Sequence, residues 1–368
     1  MGQGESRRVV AMGGGSGVRF ARCERYHCKR LQRGGRMKAA LLTDYGPAEN
    51  FRIVDIPAPV PGPGEALIKV AFAGLRWGDI MGRNGVPVKG RTPPFVPGQE
   101  AAGTVHALGE GVTGFAPGDR VYCLPQGGAY QEYFAISAKA LRRVPDRVSL
   151  EQVLIYAVNL PTAYLAVFEW AKVQEGEIVL VHAAAGGVGS LAVQVLKRRF
   201  RDVTVIGLAG SDEKVALVRA NGADHAINYK TTDYVEAVGE IAGVKPQGFA
   251  PGAPPAGVHV VLNGVGGSTL KTDRRVIRKL GRWVLYGGMG VADPVNLFAN
   301  SYDAITIMPF SKIPFIGTEA DRRAEQFTRD WMETERLDQP AIHPLEDIAA
   351  VQAAMERGET MGKVVFRL

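Results

Sequence analysis

Apolar residues follow two rhythms along this chain. Over 37–149 they form short stretches, at 66–73, 101–107 and 120–124, broken by Pro and Gly clusters at 57–64, 93–98 and 117–118. Runs of this length between turn signals predict a compact β-rich unit. Beyond residue 161 strands and helical stretches alternate, which implies parallel βαβ units. The spacing predicts strands at 178–182, 203–208, 226–228, 258–262 and 283–286, with helices at 188–199, 212–221, 233–242 and 268–280. These make a doubly wound sheet. A last helix is expected at 345–357 and a last strand at 363–368. The Pro- and Gly-rich stretch 243–257 is longer than an ordinary connection and reads as a surface excursion, a candidate lid.

Length and charge refine this picture. A chain of 368 residues exceeds one usual core, so two domains are expected. Hydrophobic content of 46% and charged content of 22% are ordinary for a soluble globular protein. No apolar run reads as approaching the roughly 20 residues that span a bilayer, so no membrane partner is expected. The net charge of +7 hints at nucleic acid, but 1–36 holds nine Lys or Arg against two Glu. The remaining 35 basic and 35 acidic residues balance, and the body has no electrostatic reason to seek phosphate backbones. Residues 1–36 are Arg-rich and acid-poor, as an organelle transit peptide is. The Gly13-Gly14-Gly15 run opposes the amphipathic helix such a peptide needs, and Met37-Lys38-Ala39-Ala40 opens the first credible strand. A disordered extension or an upstream start is the preferred account. Of three cysteines, Cys23 and Cys28 lie in this extension and only Cys123 in the body. That excludes a disulfide framework and points to a reducing compartment, the cytoplasm. Cys23, His27 and Cys28 without a partner pair are weak evidence for metal.

The most informative segment is the strand 178–182 running into Ala183-Ala184-Ala185-Gly186-Gly187-Val188-Gly189 and a helix. In a G-x-G-x-x-G turn the first position makes the turn, the second admits a pyrophosphate and the third lets helix approach strand. Here these are Ala184, Gly186 and Gly189. The helix N-terminus then offers free N–H groups to a diphosphate. Strand before, helix after and a second strand about 20 residues on are what a dinucleotide fold requires. That second strand ends Ile206-Gly207-Leu208-Ala209-Gly210, without the acid that holds an NAD ribose. Ser211 and Lys214 follow, a hydroxyl and a cation suited to a 2′-phosphate, and NADPH is expected. Asp212 dissents, but it is also a natural N-cap.

Nearly all of 37–368 resembles the medium-chain dehydrogenase/reductase superfamily, in its zinc-free quinone oxidoreductase (zeta-crystallin-like) branch. The resemblance rests on Pro97-Gly98-Gln99-Glu100-Ala101-Ala102-Gly103, Pro117-Gly118-Asp119-Arg120-Val121, Thr162-Ala163-Tyr164, the 183–189 turn, Ile227-Asn228-Tyr229 and Gly362-Lys363-Val364-Val365. It implies an α/β protein in which a GroES-like β-rich catalytic domain is interrupted by a doubly wound Rossmann domain. The expected division is 37–160 catalytic, 161–302 NADPH-binding and 303–368 a return to the catalytic domain. It also implies a homodimer joined through the Rossmann sheet edges. Zinc-dependent relatives carry His where this chain has Gln99, an early Cys ligand and a four-Cys cluster. No cysteine lies between Met37 and Tyr122, so catalytic zinc, which needs three protein ligands, is not expected. The same matching puts Thr162 near a nicotinamide and Tyr229 near an adenosine. Asn263, Gly264, Val265, Gly287 and Gly288 would close over the cofactor from later strand ends, where open sheets bind ligands.

One departure touches the substrate. Reductases of this branch often carry Asn three residues before an acid on the segment facing the nicotinamide, where this chain has Arg76 and Asp79. The aromatic residues common just downstream become Met81 and Pro87. Hydride delivery to carbon builds negative charge on oxygen, which a cation or donors must meet. Arg76 is the candidate, against pairing with Asp79. Asp79 reads more as the N-cap of the next helix than as a general acid, and Tyr130 and Tyr133 as packing more than as proton donors. The expected substrate is a small-molecule electrophile, foremost a quinone. An enone or enoyl thioester is the alternative, for which Arg76, Lys89 and Arg91 suggest a basic rim. An NADPH-binding protein with little turnover is the third.

Overall fold

The computed structural model describes residues 35–86, 91–243, 256–287 and 303–368. The expected extension 1–36 and the 243–257 excursion fall almost wholly outside these, as do Pro87, Lys89 and Gly288. In the first part, strands β1 (Arg36–Leu42), β2 (Phe51–Pro57) and β3 (Glu65–Leu75) precede the short helix α1 (Trp77–Arg83). Strands β4 (Ala101–Leu108), β5 (Arg120–Cys123), β6 (Tyr133–Ser137) and β7 (Arg142–Arg143) follow. Helix α2 (Leu150–Tyr164) leads to β8 (Ile178–Val181), α3 (Gly187–Arg199), β9 (Thr204–Ala209), α4 (Asp212–Ala220), β10 (His225–Asn228), α5 (Tyr234–Ile241) and β11 (Val258–Asn263). The chain ends with α6 (Thr269–Asp273), β12 (Ile277–Leu285), β13 (Thr306–Pro309), α7 (Glu319–Thr334), β14 (Ala341–Pro344), α8 (Ile348–Glu356) and β15 (Val364–Arg367).

Two sheets carry the fold. The parallel sheet runs β10-β9-β8-β11-β12-β13, the doubly wound order of a dinucleotide-binding domain, with its crevice where the order reverses at β8. Its strands are buried on both faces, as helices on each side demand. The second sheet runs β14-β15-β3-β4-β5-β7, with β6 also paired to β3. It is the GroES-like part, and its core gathers Leu42, Ile68, Val121, Phe134 and Phe366. Strand β15 thus brings the chain's end back against β3. Because β13 pairs with β12, the parallel sheet takes a strand beyond residue 302, where a return to the other domain was expected.

Three helical segments differ from expectation. Pro161 reads as a boundary, yet α2 passes through it and continues as a π-helical stretch, Leu165–Trp170. A proline removes one backbone donor, and burial of Leu160, Ala163, Leu165 and Ala166 outweighs that loss. The combined Leu150–Trp170 segment is, contrary to the sequence expectation, long and apolar enough to cross a membrane on length and composition, but 67% of its most apolar window is buried inside the fold. Helix α7 escapes a hydropathy search because it is charge-rich. Thr318 caps it, and Trp331 is buried beneath the guanidinium groups of Arg198 and Arg199, 4.8 and 5.0 Å from the ring centre. The helix expected at 268–280 stops at Asp273, and β12 begins at Ile277. Asp273 is fully buried in a polar network described below, which ends the helix there.

Candidate active and cofactor site

The turn after β8 forms as its residues dictate. Ala183 takes φ 49°, and the Gly186 N–H donates to Ala183 O at 2.8 Å. A Cβ at Gly189 would lie 2.3 Å from Ala183 O, so only glycine lets α3 come this close. Ala184, buried in the turn, donates its N–H to Leu208 O. A Cβ on Gly187 would meet the Asn159 amide at 2.8 Å, so α2 presses on the turn from the other side. On α2 the Thr162 hydroxyl donates to Val158 O at 2.6 Å and stays tied to its own helix. No side chain caps α3, which leaves the N–H groups of its first turn, from Gly187 through Val188, for an anion. The cradle fits a dinucleotide diphosphate.

At the end of β9, Ser211 rather than Asp212 is the N-cap of α4; its Oγ accepts the Lys214 N–H at 3.3 Å. Asp212 instead accepts from Asn228 Nδ2 at 2.8 Å, which ties its carboxylate to β10. A Cβ on Gly210 would sit 2.6 Å from the Tyr229 hydroxyl, so this glycine makes room for the half-exposed ring. The Lys214 ammonium donates to Gly358 O, and burial and neighbouring Lys230 hold its pKa below the usual lysine range. Ser211, Lys214, Tyr229 and Lys230 therefore share one end of the sheet. A hydroxyl and two cations fit a 2′-phosphate.

Farther along the sheet, Asn263 ends β11 fully buried. Its Oδ1 accepts the N–H groups of Val265 and Gly266, both at 2.8 Å, and its Nδ2 donates to Thr269 Oγ1 at 2.8 Å and Asp273 Oδ2 at 2.6 Å. Asp273 Oδ1 lies 2.6 Å from His182 Nε2 and accepts from Tyr234 at 3.1 Å. This network pins the Gly264-Val265 loop to the phosphate turn's own strand. Gly287 has φ 83°, and a Cβ there would meet Gly264 O at 2.8 Å, so the two strand ends touch through glycine backbone.

Arg76, Asp79 and Tyr130 converge in the GroES-like part. Arg76, not Asp79, is the N-cap of α1. Asp79 sits in the first turn, and its Oδ2 accepts the Arg76 backbone N–H at 3.1 Å. The Arg76 guanidinium makes no ion pair with Asp79, and its Nε is buried without a partner. Burial dominates at Asp79 and raises its carboxyl from the ordinary 3.8 to about 6, against the attraction of Arg76. Asp79 Oδ1 also lacks a hydrogen-bond partner. Tyr130 is fully buried behind Gly98, its ring edge-on to Phe366, and its hydroxyl donates to Gly74 O at 3.3 Å. Burial and then Asp79 keep that phenol protonated. Tyr133 stands elsewhere, edge-on to His106 at 5.1 Å.

Glu100 and Lys363 lie in separate sequence motifs and meet only in the fold. They form a buried ion pair, and Lys363 Nζ also donates to Leu75 O at 3.2 Å. One residue before, the Gly362 N–H donates to Ala185 O at 2.7 Å. The phosphate turn is therefore joined, through Gly362 and Lys363, to the end of β3 from which Arg76 and Asp79 project. No pattern in the sequence signals such a pair, because its members lie 263 positions apart. Asp79 also lines a shallow, partly open pocket with Gly82, Arg91, Phe95, Gln99 and Gln126.

Comparison with known proteins bears on this arrangement. The zinc-binding dehydrogenase family model matches 187–314, and the alcohol dehydrogenase GroES-like domain model matches 62–146. The human synaptic vesicle membrane protein VAT-1 homolog is 36% identical over 253 residues, 68% of this chain; the chain spans 61% of that relative's length. A 2-haloacrylate reductase from a Burkholderia species is 36% identical over 266 residues, 70% of this chain and 76% of its own. The quinone oxidoreductase of Pseudomonas syringae superposes with a TM-score of 0.78 at 28% identity, covering 90% of this chain and 100% of its own. This chain belongs to the medium-chain dehydrogenase/reductase superfamily, in its quinone oxidoreductase-like branch. A mycobacterial member solved with NADPH superposes with a TM-score of 0.79 at 30% identity, over 90% of this chain and 100% of its own. Among the described residues no group of three or more His, Cys, Asp or Glu is placed to hold a metal ion. The described cysteine, Cys123, is a buried thiol pushed up to about 12.

Proposed function

We propose that this protein is a zinc-independent, NADPH-dependent reductase of conjugated carbonyl acceptors, quinones foremost, with the carbon–carbon double bonds of enones as the second substrate class. The observation that carries the proposal is the pairing of two groups at the start of one short helix: Arg76, its N-cap, whose guanidinium has no acidic partner among the described residues, and Asp79, a buried carboxyl raised to about 6. NADPH, when bound, supplies a hydride to an electrophilic carbon. The residues of the chain supply the rest. Arg76 meets the negative charge that grows on the acceptor oxygen, a role worth roughly 10²–10³ in rate where a single donor has been removed from comparable sites. Asp79 holds the proton that completes the reduction, and burial, with the Glu100 carboxylate nearby, disfavours its ionised form.

The cradle of Gly186, Gly187, Val188 and Gly189 would hold the diphosphate, Ser211 and Lys214 the 2′-phosphate, and Tyr229 the adenosine. Thr162, Asn263, Gly264, Val265 and Gly287 would line the nicotinamide end. Gln99, standing where zinc-dependent relatives have His, supports zinc independence. The enone class draws support from the relative named 2-haloacrylate reductase, since a haloacrylate carries a conjugated carbon–carbon double bond. We also propose that two copies pair through the parallel sheets, whose outer strand β13 has one neighbour among the described residues, and that the protein works in the cytoplasm.

NADPH and NADH consumption by the purified chain, with an ortho-quinone, a simple enone and an enoyl thioester, tests this. Turnover of quinone or enone with NADPH is expected, falling about 10²-fold or more in Arg76→Met. Tight NADPH binding with no turnover of any acceptor would refute it.

A further inference from the structure

Arg91 is the cation among the described residues that line the pocket with Asp79, and its surroundings are unusual for an arginine. Its side chain is half-buried among Phe95, Gln126 and Gly127. Arginines are rarely buried unless paired. Among the described residues no carboxylate pairs with this one, and the adjoining Pro87-Val88-Lys89-Gly90 contains no acid. Its sole hydrogen bond to a described residue is a long one, from Nη1 to Val96 O at 3.4 Å. Burial lowers its pKa and no neighbouring carboxylate offsets this.

The site is nevertheless built around the guanidinium. A Cβ on Gly127 would lie 1.8 Å from Arg91 Nη1 and 2.6 Å from Cζ, so glycine at 127 is what leaves the side chain its place. The Phe95 ring lies under it, with Cζ 5.9 Å from the centroid. Tyr45 holds the backbone, its hydroxyl donating to Arg91 O at 2.6 Å. Three separate segments thus position a cation that has no acidic partner among the described residues. Asp79 lines the same pocket, but its carboxyl is engaged by the Arg76 N–H and lies beyond ion-pair reach of Arg91.

We infer that Arg91 recognises a carboxylate carried by the acceptor, so that the preferred substrates are unsaturated carbonyl compounds bearing an acid group. The inference rests on the reductase proposal and names the substrate class within it. A guanidinium presents a planar fork that matches a carboxylate with two parallel hydrogen bonds. Phe95 backs the fork, and no described carboxylate competes for it. Gln99 and Gln126 supply neutral donors along the same wall. An acceptor anchored by its acid at Arg91 presents its conjugated system to the remaining wall, where Asp79 lies. A neutral acceptor of similar size, quinone or enone, would bind through its conjugated carbonyl without that charge-assisted pair.

Acetylacrylate and its methyl ester separate these effects through KM: both carry the same enone, the acid adds the charge, and the ester's stronger activation of the double bond is read in kcat. The full-length protein is assayed with NADPH, and acetylacrylate binding is measured by calorimetry in parallel. The wild type is expected to take the acid with a KM about 10- to 100-fold below that of the ester, the range of a charge-assisted pair. Arg91→Met should erase that difference through KM, with kcat for the ester unchanged within about twofold. Arg91→Lys, which keeps the charge and loses the fork, should fall between them. Equal KM values for acid and ester in the wild type would overturn the inference. So would an Arg91→Met variant that loses both substrates alike, which would make Arg91 a support of the loop. If no acceptor turns over, the reductase proposal fails by itself; calorimetric binding of acetylacrylate, lost in Arg91→Met, would still support the anion site, and no binding to wild type would refute it.

Discussion

Asp79→Asn isolates the group on which the proposed proton delivery depends. The carboxyl is fully buried, with Oδ1 unpartnered, and burial raises it from 3.8 to about 6. An acid raised in the fold lends its full share of stability below the unfolded value, where it is protonated in both states. That share is lost as pH rises through the folded value. At about 1.4 kcal/mol per unit, a rise of roughly two units removes about 3 kcal/mol at neutral pH. Asparagine has the same shape, keeps an oxygen for the Arg76 N–H and never ionises. The variant should therefore be more stable than wild type by about 3 kcal/mol at around pH 8 and by only about 1 kcal/mol near pH 4.5. Nearly all of the growth in that gap should fall below about pH 6.5. Urea midpoints for both proteins, followed by tryptophan fluorescence across this range, measure it. The same substitution should remove an inflection near pH 6 from kcat/KM, on whose acid side the wild type is faster, and lower kcat by about 10²–10⁴. A stability gap that does not vary with pH would refute the argument for a neutral buried acid. Full kcat in the variant would refute the proton role.

Lys363→Met strands the Glu100 carboxylate, whose own accessible surface is nil, and should destabilise by about 3–5 kcal/mol in thermal unfolding, while Lys363→Met with Glu100→Leu should recover most of the loss. Ser211→Ala with Lys214→Ala should raise KM for NADPH about 10- to 100-fold and leave KM for NADH within about twofold, read from steady-state kinetics with one acceptor.

Much of the Rossmann half was legible because it is local. An apolar strand, a Gly-rich turn and a helix are consecutive in the chain, and their hydrogen bonds close within a few residues. The same holds for Ser211, Lys214 and Tyr229, which follow one strand end and the next. Elements set by long-range burial were not legible. Helix α7 is charged on most of its surface and earns its place through Trp331 and Ala324 against α2 and α3. Helix α6 is cut short by a network that assembles only when β8, β11 and α5 meet.

What the sequence alone determined is the doubly wound, dinucleotide-binding class of its second half, the β-rich class of its first and the residue types at the cofactor turn. Periodicity and turn chemistry act over short spans, so one dimension suffices to read them. The tertiary structure decided which side chains share an environment. It buried Glu100 against Lys363, set Arg91 apart from every described acid, and placed Asp79 where burial outweighs the nearby Arg76. Desolvation and charge pairing depend on distances between residues far apart in the chain, and folding alone sets those distances.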